Sequence, residues 1–249
     1  MSARSQVQLL VVMPVFNEQA SVRKTVLEWF HELENWTEDF IFLALDDGST
    51  DATPVLLKRL KRQLGSRMQV VRHKNRGHGQ TCLAGYREAA QRGIPWILQI
   101  DSDGQCDPQY FFRLWRLRES ADVIYGRRKC REDGWRRKLA SLILRGFLRL
   151  AAGVDCADAN VPYRLMRTQC IVPCLDRIPS GFFLANVALA VLLRTAQVRQ
   201  MLVPIRFRER YGGEPAVPLS KFWNKACELY GNLKSLKSGA SPKNGHVRH

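Results

Sequence analysis

The sequence predicts an open α/β sheet, mostly parallel and covered by helices on both faces, in a single domain. Two observations carry this. Through the first half of the chain, short runs of β-branched and other apolar residues alternate with stretches spaced for amphipathic helices, the order that builds parallel strands joined by crossover helices. Three of those runs also end in polar, mostly acidic clusters, and in open α/β sheets ligands bind beyond the carboxyl ends of the strands. With 249 residues, 45% of them apolar, the chain is long enough to bury one substantial core.

Taken in order, the first strand is expected over Leu9–Val15, running out through Phe16-Asn17-Glu18. Val22, Val26, Trp29, Phe30 and Leu33 follow at helical spacing. The second strand, Phe40–Leu45, leads into Asp46-Asp47-Gly48-Ser49-Thr50-Asp51, whose last residues are expected to cap a helix. That helix has Pro54 at its first position and apolar residues at 55, 56, 60 and 64. Met68–Arg72 is the third strand, followed by Asn75-Arg76-Gly77-His78-Gly79 and a helix from Cys82 to Ala90. Trp96–Ile100 is the fourth, running into Asp101-Ser102-Asp103-Gly104-Gln105, with a helix from Phe111 to Leu117. Val123–Tyr125, the fifth, meets Gly126-Arg127-Arg128, and there the regular alternation stops. An amphipathic helix over 137–152, a buried helix over Phe182–Leu193, a late strand over Val203–Phe207 and a further helix within Lys221–Lys237 complete the expectation. The last segment, 236–249, is polar and expected to be a flexible tail. We expect residues 8–130 to form one half of this domain, and 131–235 a second half with basic amphipathic helices.

The formal net charge is +16 and unevenly spread: 13 basic against 10 acidic side chains in residues 1–100, but 26 against 13 beyond. Residues 113–149 alone hold 12 basic and 4 acidic side chains, a concentration that suits phosphorylated ligands or an anionic membrane. Composition excludes collagenous, disulfide-framework and disordered classes. Seven scattered cysteines imply reduced thiols, and Cys170 and Cys174 read as core residues. The N-terminus lacks the apolar block of a signal peptide, and no run reaches the ~18–20 apolar residues that span a bilayer. The expected location is therefore cytoplasmic, with any membrane contact peripheral.

The sharpest chemical signal is Asp101-Ser102-Asp103. In a strand, residues i and i+2 face the same way, so both carboxylates are expected to face one ion as the strand runs out, with Gln105 one step further. Hard cations such as Mg²⁺ or Mn²⁺ take oxygen ligands, commonly one or two carboxylates with phosphate oxygens, and could neutralise a departing diphosphate. An isolated Asp-x-Asp also makes turns; the company it keeps gives it weight. Asp46 and Asp47 could accept hydrogen bonds from a nucleobase N–H or ribose hydroxyls. The glycines of 75–79 do not complete a dinucleotide fingerprint, because Cys82 stands where the third glycine belongs, and no P-loop is present. Arg127, Arg128, Arg136, Arg137 and Arg164 could reach phosphate oxygens.

Together these residues resemble family-2 glycosyltransferases of the GT-A (Rossmann-like) fold, specifically the dolichol-phosphate mannosyltransferase-like branch. The resemblance runs over about residues 8–235 through VVMPVFNE (11–18), LDDGSTD (45–51), NRGHGQTCLAGYREA (75–89), LQIDSDGQCDP (98–108), YGRR (125–128), RKLASLILR (137–145), DANVPYRLMR (158–167) and VPIRFRERYGGE (203–214). It implies that Pro14, Phe16 and Glu18, with Asp46, hold the base and ribose of a nucleotide. It likewise implies that Asp101, Asp103 and Gln105 bind Mg²⁺ or Mn²⁺ and the sugar diphosphate, with Ser102 between them. Arg128 and Arg137 match phosphate-contacting arginines, and 208–214 matches a loop closing over donor or acceptor. Asn160, Val161 and Pro162 depart from the family's Thr-Ser-Gly, and Arg145 stands where asparagine is common.

The activity so implied is an inverting, metal-dependent transfer of a sugar from a GDP- or UDP-linked donor to a polyprenyl phosphate or a glycan. Asp103 and Arg128 would act in the chemistry, and Asp158 would take the proton if the acceptor is a hydroxyl. A second class fits the charge alone: a basic protein without catalysis that binds nucleic acid or a membrane surface. No nucleic-acid motif supports it, and carboxylates clustered at strand ends would repel phosphate unless a cation is present.

Overall fold

A computed structural model of the chain describes residues 6–37, 39–128, 161–178 and 185–212. Seven strands form one sheet in the order β3-β2-β1-β4-β6-β5-β7: β1 (Leu9–Val15), β2 (Phe40–Asp46), β3 (Met68–Arg72), β4 (Trp96–Gln99), β5 (Val123–Arg128), β6 (Arg164–Arg167) and β7 (Gln200–Ile205). The helices are α1 (Val22–Glu34), α2 (Thr53–Leu64), α3 (His78–Gln91), α4 (Phe111–Arg116), α5 (Thr168–Leu175) and α6 (Ala185–Thr195). The five strands expected in the first half all form, as does the late one. Four differ in their bounds from the reading of the sequence: β2 reaches Asp46, β5 reaches Arg128, β4 stops at Gln99, and β7 covers Gln200–Ile205 where Val203–Phe207 was expected.

The sheet is parallel except for β6, which runs antiparallel to both β4 and β5. No strand was expected at 164–167, nor the helix α5 behind it. Leu165 and Met166 are apolar, but they are flanked by arginines and resemble a polar motif more than a buried strand.

Both faces of the sheet are covered because every residue of β1 is buried, and alternate side chains serve opposite layers. Leu10 and Val12 pack with Leu43, Leu45 and the apolar sides of α3, α5 and α6. Leu9, Val11, Met13 and Val15 pack with Phe40, Phe42 and the apolar sides of α1, α2 and α4. Trp29 of α1 meets Tyr163 and Phe111 edge-on at 5.4 and 6.4 Å, locking that helix over the centre of the sheet. α6 is buried from Ala185 through Leu193, in keeping with the buried helix expected there; residues 182–184 lie outside the described residues. The expected helices over 137–152 and 221–237, and the tail, lie outside them too. Among the described residues no helix is long and apolar enough to cross a membrane.

Candidate active site

Parallel pairing of β1 with β2 and β4 brings the segments after Val15, Asp46 and Ile100 to one edge. There the loops after β1 and β2 are laced together. Asn17, in a left-handed turn at φ 52°, accepts from the Thr50 amide at 2.8 Å, and its own amide donates to Ser49 Oγ at 3.0 Å. The Glu18 amide donates to Thr53 Oγ1 at 2.9 Å. Asp51 accepts from the Thr53 and Gln19 amides at 2.9 and 3.2 Å, so it caps the first amide of α2 from two residues before the helix and ties it to the first loop. Pro14 lies inside β1 opposite Leu45, and Phe16, just past the strand, keeps 41% of its surface exposed.

Asp46 and Asp47 divide their work. Asp46 accepts from the Ser49 amide at 2.9 Å and pairs with Arg72 at 3.2 Å. Asp47 takes the amides of Arg76 and Gly77 at 2.8 and 2.9 Å and lies 3.3 Å from His73 Nδ1. Both are buried. The doubled aspartate therefore has a structural explanation that cap chemistry alone does not supply: its second member clamps the loop that leads into α3.

The geometry of Asp101 and Asp103 differs from the strand alternation expected for them. β4 ends at Gln99, and 102–104 form a turn with Gly104 at φ +82°. A Cβ on Gly104 would lie 2.3 Å from the ring of Tyr211, so this position requires glycine on two counts. The turn sends the two carboxylates to different neighbours. Asp101 lies 3.7 Å from Nε2 of His78, the first residue of α3, whose ring is also 3.6 Å from Cys82 Sγ. The Cys82 sulfur and the Asp101 carboxylate beside it raise the pKa of the His78 imidazole above its ordinary value. Asp103 takes the Gln105 amide on Oδ1 at 3.0 Å and faces Arg210 at 3.7 Å with Oδ2. Ser102 is buried, and its carbonyl accepts from Thr25 of α1 at 3.2 Å, anchoring the turn to the helix layer.

Over this turn lies a strap, residues 206–212, that follows β7. Its backbone bonds to the acidic turn: Arg208 N–H to Gln105 O at 2.9 Å, and Tyr211 N–H to Asp103 O at 3.1 Å. Arg208 donates to Asp107 at 2.6 Å and to Glu28 at 2.8 Å, and the Tyr211 hydroxyl donates to Glu28 at 2.8 Å. Arg210 pairs with Glu18, which also accepts from Ser21 Oγ at 2.5 Å. Burial, offset in part by Ser21 and Arg210, raises the Glu18 pKa. Sequence reasoning placed 208–214 over the site but missed what holds it. The alternating basic residues of Arg206-Phe207-Arg208-Glu209-Arg210 were the available signal.

Of the arginines expected to reach phosphate, Arg164 does not lie on the surface. It is fully buried, bonded through Nε to Val161 O at 2.9 Å with its guanidinium 5.5 Å from the ring of Tyr125. The reason is β6, which sets Arg164 opposite Gln99 and Tyr125 in the middle of the sheet. Arg128 closes β5 opposite Ile205; Arg136, Arg137 and Asp158 lie outside the described residues.

A divalent cation fits the donor set at the turn. Among the described residues no group of three or more His, Cys, Asp or Glu side chains could hold a metal by itself. Asp101, Asp103 and Gln105 offer the kind of oxygen donors that Mg²⁺ or Mn²⁺ takes alongside phosphate oxygens and water, although the turn leaves the two carboxylates against different neighbours.

The chain is 26% identical over 221 residues to undecaprenyl-phosphate 4-deoxy-4-formamido-L-arabinose transferase of Edwardsiella ictaluri, and 27% to the Serratia proteamaculans protein of that name. Those matches cover 88% of this chain but only 66% and 65% of the relatives, so the chain spans just under two thirds of their length. Among solved structures, glucosyl-3-phosphoglycerate synthase of Mycobacterium tuberculosis, in complex with Mn²⁺ and UDP-glucose, aligns with a TM-score of 0.63 at 16% identity, covering 94% of this chain and 80% of that one. At that identity the likeness concerns the fold, a GT-A sheet with helices on both faces. The family model described as "Glycosyl transferase family 2" matches residues 10–172, the stretch that contains all the acidic strand ends. On that match, and with the acidic edge on a GT-A sheet, this chain belongs to glycosyl transferase family 2.

Proposed function

We propose that the chain moves a sugar from a nucleotide-diphosphate donor to a polyprenyl phosphate, with inversion and with help from Mg²⁺ or Mn²⁺. The observation that carries this reading is the convergence of Glu18, Asp46, Asp101 and Asp103 on one edge of the sheet, beneath a basic strap. The relatives named for an undecaprenyl-phosphate substrate support a lipid-phosphate acceptor, and the UDP-glucose complex of the structural neighbour makes UDP-sugars the first donors to test.

In this reading Pro14, Phe16, Glu18, Asp46 and Asp47 form or brace the nucleotide end. Asp101, Asp103 and Gln105 hold the cation, which supplies electrostatic stabilisation of the departing diphosphate when bound. Arg128 and Arg137 add positive charge toward the same phosphates. A phosphate acceptor already carries a negative oxygen, so no strong general base is required. Asp158 takes a proton only if the acceptor is a hydroxyl. The basic segment 113–149 favours an anionic membrane surface, where a lipid carrier resides.

The experiment is turnover of UDP- and GDP-sugars on short polyprenyl phosphates, with and without Mn²⁺, for the wild type and Asp103→Ala. The expected outcome is Mn²⁺-dependent transfer by the wild type and none by Asp103→Ala, with unchanged circular dichroism. Full activity in Asp103→Ala would defeat the site assignment. Absence of any nucleotide-sugar binding would favour a basic binding protein.

A further inference from the structure

Arg210 lies between two largely buried carboxylates. Glu18 and Asp103 approach each other closely enough for their charges to interact, and both are largely buried, which makes an unneutralised pair costly. Arg210 answers both: it is hydrogen-bonded to Glu18 and lies 3.7 Å from Oδ2 of Asp103. Its Nε is meanwhile fixed to Gly212 O at 2.6 Å, within its own strap. The arrangement therefore couples one guanidinium to the position of a whole segment. That segment is held by Arg208 and Tyr211 on Glu28, by Arg208 on Asp107, by two backbone bonds to the acidic turn, and by Lys24 over the Tyr211 ring at 3.9 Å.

We propose that Arg210 is an internal counter-ion that occupies the Asp103 carboxylate until a divalent cation displaces it, and that its displacement loosens the strap 206–212. The inference rests on the proposed metal site and goes beyond it by making strap opening and metal binding one linked equilibrium. A divalent cation on Asp103 and a guanidinium beside it repel each other, so one leaves as the other arrives. Linkage then requires the converse, that loosening the strap tightens metal binding by the same factor.

The test is Mn²⁺ titration of the full chain without donor, with free Mn²⁺ read by electron paramagnetic resonance, alongside hydrogen exchange of the Arg208 and Tyr211 amides. Arg210→Gln is expected to bind Mn²⁺ roughly tenfold more tightly than wild type, within the usual range of coupling between sites. Glu28→Gln, which removes a strap anchor and leaves Arg210 in place, is expected to shift affinity in the same direction by less. It also provides the measurement if Arg210→Gln does not fold. In the wild type, saturating Mn²⁺ should speed exchange at both strap amides. Mn²⁺ binding with equal or weaker affinity in both variants, or strap amides indifferent to Mn²⁺, would overturn the inference and leave the metal site standing. No Mn²⁺ binding by any of the proteins would remove the metal site and the inference together.

Discussion

Asp47 and Gly104 are single residues on which the shape of the site depends. Asp47, itself buried, satisfies two backbone donors, from Arg76 and Gly77, through half-buried hydrogen bonds in the loop before α3. Asp47→Ala is expected to cost about 1–3 kcal/mol, the usual penalty for leaving such donors unpaired, as a lower midpoint in urea unfolding. Gly104 combines a positive φ with the Tyr211 ring against its α-carbon. Gly104→Ala should cost on the order of 1–3 kcal/mol in backbone strain and push Tyr211 away, seen as faster hydrogen exchange across 208–211. The acidic motif itself was legible, because Asp, Gly and Gln after an apolar run are visible in one dimension. The direction in which each carboxylate points was not. It depends on a turn at 102–104 whose form is set by Tyr211, more than a hundred residues later.

Among elements, the end of the sheet opposite the site is held by a clamp of charges. Asp122, just before β5, accepts from Arg199 Nε and Nη2 at 3.0 Å each, before β7, and lies 3.4 Å from Arg167 at the end of β6. Hydrogen bonds from Arg199, outweighing the effect of burial and aided by the charges of Arg199 and Arg167, hold the Asp122 carboxyl below its ordinary value. A carboxylate whose pKa is lower folded than unfolded stabilises the fold above its unfolded value, near 4, and loses that contribution as pH falls through the folded value. Thermal melts between pH 2 and 7 should therefore show Asp122→Asn slightly less stable than wild type at neutral pH and converging with it in acid. A constant difference across the range would contradict the assignment. The parallel strands β1 to β4 were readable because each combines a β-branched run with a helical stretch after it. β6 was not, since a four-residue strand bounded by arginines earns its burial only from the neighbours β4 and β5 that enclose it.

For the molecule as a whole, charge is divided between an acidic edge and an excess of basic residues elsewhere, +16 in sum. A nucleotide diphosphate has little reason to approach carboxylates unaided, so binding should depend on the cation. With Mn²⁺ held in constant excess, donor nucleotide at 100 times its dissociation constant should add about 2.7 kcal/mol to stability, read as a thermal shift that donor without Mn²⁺ does not produce. An equal shift without Mn²⁺ would show that the chain's own arginines, Arg210 first among them, suffice. Binding to anionic vesicles is expected to weaken with added salt and with charge removal over 127–138, and flotation insensitive to both would exclude an electrostatic attachment.

The sequence alone determined the alternation of strands and helices, the edge at which the acidic clusters gather, and the family, because these follow from local periodicity and from motifs short enough to survive in linear order. Only the tertiary structure decided that Asp101 faces His78 while Asp103 faces Arg210, that Arg164 is buried, and that a strap is tied over the turn. Each of these is a contact between residues far apart in the chain, and side chains that meet only after the sheet has closed leave no spacing by which to be recognised beforehand.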